Sequence, residues 1–111
     1  MNNAAEINIA LNHGEASALK KALLYLKFEC EETSSLIFSG SPLVNSVLDK
    51  LIDQSVFGSS ERQFFDNGNK AAEKFMLEKL IRTLEADDNQ GLSEDRRSAY
   101  FKECMRPYKI D

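Results

Sequence analysis

Tryptophan is absent from this chain of 111 residues, histidine occurs once, and cysteine and proline occur twice each. Each scarcity closes off a chemistry. Nucleophilic catalysis needs a Ser, Cys or Lys beside a base that a third group orients. The only imidazole, His13, precedes Gly14 at an expected helix start, a place for an exposed or capping side chain. Structural zinc takes four Cys or His ligands, and Cys30, Cys104 and His13 fall short of that number at no ligand spacing. The glycines, Gly14, Gly40, Gly58, Gly68 and Gly91, stand too far apart to cradle a phosphate. No apolar run approaches the roughly 20 residues of a membrane span, and Met1 to Glu6 lacks the basic and apolar regions of a signal peptide. The expectations are a cytoplasmic protein with free thiols and no metal or other cofactor.

What the chain does have is charge, unevenly placed. The net charge is -4. Seven carboxylates between Glu29 and Asp66 face only Lys50 and Arg62, and from Glu85 to Asp95 there are five acids and no base. From Arg96 onward the sign reverses: Arg96, Arg97, Lys102, Arg106 and Lys109 face only Glu103 and Asp111. Uneven fields of this kind steer charged partners and raise encounter rates, although a charge run also serves as an ordinary solvated face.

Apolar periodicity supplies the fold. A first helix is expected from about Gly14 to Glu31, with Leu19, Ala22, Leu23, Leu26 and Cys30 on one stripe and Leu24, Tyr25 and Phe28 projecting elsewhere. Ser41 caps and Pro42 opens a second helix that Gly58 ends, its apolar half made by Leu43, Val44, Val47, Leu48, Leu51 and Ile52. Ser60 to Gln63 has capping-box spacing, and Asp66-Asn67-Gly68-Asn69 predicts a break. A helix from about Lys70 to Ala86 then sets Ala72, Met76, Leu77, Leu80, Ile81 and Leu84 on a broad face. Ser93 caps the last helix, whose apolar side is Tyr100, Phe101, Cys104, Met105 and Tyr108, with Pro107 ending it. Residues 7–11 alternate as a short strand does, and 24–28 and 35–39 also carry strand-tolerant types. The fold class expected is all-α, four to five helices in a bundle or orthogonal packing within one domain of residues 1–111.

Three further constellations bear on chemistry. Asp87 to Gly91 looks like a calcium loop, but aligning Gly91 with the turn glycine puts Ala86 and Arg97 where carboxylates are required. Glu73 falls inside an apolar arc, where burial would make it a site candidate, yet in the first turn of its helix it can bend to solvent or to the positive helix end. Lys102, Arg106 and Lys109 share one side of the last helix, as phosphate-binding residues do, but a nucleic-acid binder carries an overall basic footprint that this chain lacks.

The reading by elimination is a module that binds another protein stoichiometrically and is not an enzyme. The partner surface expected comprises Tyr25, Phe28, Glu29, Glu31, Glu32, Glu85, Asp87, Asp88, Glu94 and Asp95. The partner expected is a basic protein, with no membrane and no nucleic acid. Concretely, the chain is similar in size and charge, though in no motif, to immunity proteins, which implies a neutraliser that covers a basic toxin such as a nuclease by presenting carboxylates where that enzyme takes phosphate. The alternative is a small helical DNA-binding or nucleoid-associated regulator using the Arg96 to Lys109 helix.

Overall fold

Asn12 starts the first helix: its side-chain oxygen accepts from the Glu15 amide at 2.8 Å, and Glu15 returns a carboxylate to the Asn12 amide at 3.0 Å. In the computed structural model, which describes residues 5–87 and 94–110 and side chains for 5–83 and 95–110, this reciprocal cap opens α1, His13–Phe28. A 3-10 turn, Thr33–Ser35, leads into the one-turn α2, Leu36–Ser39. Ser41 caps α3, Pro42–Asp53, by accepting from the Val44 amide at 3.2 Å, with Pro42 at the first helical position as expected. Three further helices follow, α4 Gly58–Asp66, α5 Lys70–Asp87 and α6 Glu94–Met105.

The fold is all-helical. Six α-helices and no strand occur among the described residues, so the alternation at Ile7, Ile9 and Leu11 does not make a strand here, and 35–39 is helical. Alternation supplies one apolar face, but an extended segment becomes a strand only with a neighbour to pair with. Gly58 also departs from expectation, because α3 stops at Asp53 and Gly58 begins α4. The Phe57 amide donates to Ser55 Oγ at 3.2 Å and the Gly58 amide to the Ser55 carbonyl at 3.0 Å, closing a tight reversal between the helices. Ser60 therefore lies inside α4 and the expected capping box is not used; Phe57 holds the cap position without a side-chain bond.

The break at Gly68 forms as the sequence predicts. Gly68 sits at φ 74°, the left-handed region that a side chain disfavours. Asn69 then caps α5 by accepting from the Ala72 amide at 3.0 Å. Two apolar clusters result. Leu36, Ala72, Met76, Cys104 and Met105 fill the space between α2, α5 and α6; Leu48, Ile52 and Phe65 fill that between α3 and α4. Tyr108 belongs to both, with ring centroids 5.1 Å from Phe28 and 4.9 Å from Phe65 in edge-on contacts. The Lys109 amide fastens this tail to the Phe65 carbonyl at 3.0 Å.

In three helices the buried arc is shifted from the one apolar periodicity selects, although Leu48 and Ile52 of α3 and Ala72 and Met76 of α5 are buried as expected, and the cause is the same each time. In α1, Leu19 and Ala22 are exposed while Lys27 is buried; in α3, Leu43 and Val47 are exposed while Asn45 is buried; in α5, Leu77 and Ile81 are exposed while Lys79 is buried. Each arc is rotated toward a polar side chain that finds its partners inside.

Candidate partner-binding surface

Lysine is among the side chains least often buried unless paired, and here two are wholly enclosed. Lys27 Nζ donates to the Ser39 carbonyl at 2.8 Å and to Asn45 Oδ1 at 2.7 Å. The Asn45 amide passes the connection on, donating to the Glu103 carbonyl at 2.9 Å and to Glu103 Oε2 at 2.7 Å. Burial pulls the Lys27 ammonium down from 10.5 to about 8. This knot ties α1, α2, α3 and α6 together, and its members are occupied with one another.

Lys79 does something more local. Its three shortest contacts are the Cys30 carbonyl at 2.7 Å, Ser35 Oγ at 2.7 Å and the Leu26 carbonyl at 3.2 Å, matching the three protons of an ammonium. Two of these are carbonyls at and just past the end of α1, where the helix dipole is negative. Ser35 Oγ in turn donates to the Glu32 carbonyl at 2.7 Å, and Arg82 donates to the Glu31 carbonyl at 3.1 Å. The segment 29–32 is thus held by its backbone from beneath while Glu29, Glu31 and Glu32 stand exposed above it. Burial lowers the Lys79 ammonium from its ordinary value.

Of the residues singled out by sequence, Tyr25 is 53% exposed on the last turns of α1, beside this acidic segment. Phe28 is half-buried against Tyr108, so it serves the core and is covered from within. Asp95 is exposed in the first turn of α6. Glu85, Asp87 and Glu94 lie on α5 and α6 with side chains outside the described set, and Asp88, Ser93 and most of the calcium-like stretch, from Asp88 to Gly91, lie outside the described residues. Glu73 meets Lys70 at 3.5 Å. Of the basic set on the last helix, Arg106 is taken by Asp49, and Lys102 and Lys109 are exposed.

The groups tested for catalysis do not converge. His13 begins α1 and Cys30 lies just past its other end, so the length of the 16-residue helix, about 24 Å at 1.5 Å per residue, separates them. Both cysteines are free, and burial pushes the Cys104 thiol up to about 11, which keeps it protonated. No cluster of metal-ligating side chains occurs among the described residues, and no helix there is long and apolar enough to cross a membrane.

A second surface went unforeseen. The extended arm before α1, the N-terminal half of α1 and the α3–α4 reversal enclose an open cleft of about 750 Å³. Ile7 and Ile9 line it at 84% and 72% exposure, and Val56 and Phe57 at 67% and 70%, with Leu11, Leu19 and Val47 between them. At its floor Lys20 meets both oxygens of Glu61 at 2.7 Å. Burial raises the Glu61 carboxyl, but hydrogen bonds from Lys20 and Ser55 outweigh it and the net shift is downward. The signal was in the sequence: the apolar half of α3 is broad, and with Leu48 and Ile52 at one edge of it in the core, Val47 and Leu51 toward the other edge are left to line the cleft.

Comparison with protein-family models, with curated proteins and with solved structures finds no match.

Proposed function

We propose that the protein acts by stoichiometric binding of a basic protein partner, most concretely as a neutraliser of a basic toxin such as a nuclease, and that it captures this partner with the acidic segment 29–32 and the adjoining Tyr25. One observation carries the reading. The C-terminal end of a helix is negative and disfavours carboxylates, yet Glu29 holds the C-cap of α1 and Glu31 and Glu32 stand exposed just past it. The fold supports them there with a buried lysine under the backbone. A local arrangement that works against stability is a mark of function.

The chemistry of capture follows from that arrangement. A partner's lysines and arginines meet carboxylates whose backbone is already ordered, so little conformational entropy is lost on docking. Long-range attraction speeds encounter, and Tyr25, a rigid amphipathic ring, contributes the contact that slows release. Free thiols fit a cytoplasmic location for the complex.

The test is affinity capture from a lysate of the producing cell, comparing the wild-type chain with the triple variant Glu29→Lys, Glu31→Lys, Glu32→Lys. The expected result is a single basic protein retained stoichiometrically by wild type and lost by the variant, with equal helical content in both. Equal retention by both, or retention of an acidic protein, contradicts the proposal.

A further inference from the structure

We infer that the apolar cleft at the opposite end of α1 is covered by a second copy of this chain, in a twofold dimer whose two arms, residues 5–11, pair antiparallel across the axis. This goes beyond the capture of a basic partner and uses a different surface. The first support is area. Together the exposed large apolar residues of the arm and cleft, Ile7, Ile9, Leu11, Leu19, Val47, Val56 and Phe57, present a patch on the order of several hundred Å². That stands at or above the roughly 300–600 Å² of the largest patch on a typical monomer and supplies much of the ~800 Å² that each partner of a stable interface contributes.

Charge is the second support. Two copies of a chain at -4 repel, so self-association needs a face that does not add to the repulsion. Of the acidic and basic side chains that line the cleft, Lys20 is paired with Glu61 and Lys50 is exposed, so the face carries no excess negative charge. Glu29, the nearest of the exposed acids of 29–32, lies about 14 Å from Lys20 along α1 by helical rise, beyond the ~8 Å over which physiological salt lets charges act. A basic partner gains nothing from a face without excess negative charge; an identical copy meets little repulsion there.

The third support is the arm. It is extended, its backbone pairs with nothing else among the described residues, and Ile7, Ile9 and Leu11 all turn to the cleft side. Two such segments related by a twofold axis pair antiparallel, the isologous arrangement in which Ile7 of one copy stands opposite Leu11 of the other and both clefts are roofed. The unpaired edge that alternation left behind is thereby satisfied.

Sedimentation velocity over a range of protein concentrations reads the outcome. Wild type is expected at twice the mass of one chain, and the exposed-site variants Phe57→Glu and Ile7→Glu/Ile9→Glu at the monomer mass with unchanged circular dichroism. The arm variant touches no core residue, so it separates loss of pairing from loss of fold. A wild-type chain that stays monomeric at the highest concentration, or variants that still dimerise, overturns the inference. The Glu29/Glu31/Glu32 to Lys variant is expected to remain dimeric, so failure of capture and failure of dimerisation are read independently.

Discussion

Lys27 holds its amine inside the protein against the preference of any ammonium for water, and the consequence is a stability that depends on pH in the alkaline range. Its folded value, about 8, lies below the unfolded 10.5. Between the two the unfolded chain binds a proton that the folded chain does not, so this group makes stability rise with pH. Lys79, also lowered, acts in the same direction. Cys104, pushed by burial from 9.0 to about 11, and Tyr100, pushed by burial from 10.0 to about 12, act oppositely, because the unfolded chain gives up those protons first. Thermal melts are therefore expected to show stability climbing from pH 8 toward 9, flattening as Cys104 titrates, and falling once Tyr100 joins it. In Lys27→Met the climb from pH 8 weakens and the later fall remains. A variant with the wild-type profile shows that Lys27 is not the group responsible.

At the scale of the helix, the sequence was legible where backbone chemistry is local and less so where side chains meet across the fold. The cap and proline of α3, the break at Gly68 and the apolar side of α6 depend on neighbours within a few positions, and all three form as read. The inward faces of α1, α3 and α5 depend on Lys27, Asn45 and Lys79 finding Ser39, Glu103, Cys30 and Ser35, which lie far along the chain. Nothing at spacing 3.6 reports those meetings; a polar residue inside an apolar arc is the only trace. Two substitutions test the local and long-range parts separately. Gly68→Ala forces a side chain into left-handed backbone and toward the Lys109 carbonyl, 3.0 Å from the added carbon, and is expected to cost about 1–2 kcal/mol by denaturant titration. Tyr108→Ala removes the ring that joins both apolar clusters and is expected to cost about 3 kcal/mol. A loss under about 0.5 kcal/mol, the range of ordinary surface substitutions, in the second would mean the clusters are stable without their bridge.

Across the whole molecule the described surface divides along α1: an acidic, backbone-pinned tip at its C-terminal end and an apolar cleft without excess negative charge at its N-terminal end. The first was visible in the sequence as a run of carboxylates beside Tyr25, though not its support by Lys79; of the second, the broad apolar half of α3 was visible, but not that the arm and the start of α1 meet the distant α3–α4 reversal. Of the basic set behind the DNA-binding alternative, Arg106, just past the end of α6, is engaged by Asp49. The most direct measurement is the association rate of the captured basic partner followed by stopped-flow as salt is raised. Steering by Glu29, Glu31 and Glu32 predicts at least about a tenfold fall in rate from low to high salt for wild type, and a slow rate already at low salt for the triple lysine variant. A wild-type rate indifferent to salt, or a variant that associates as fast as wild type, contradicts the account.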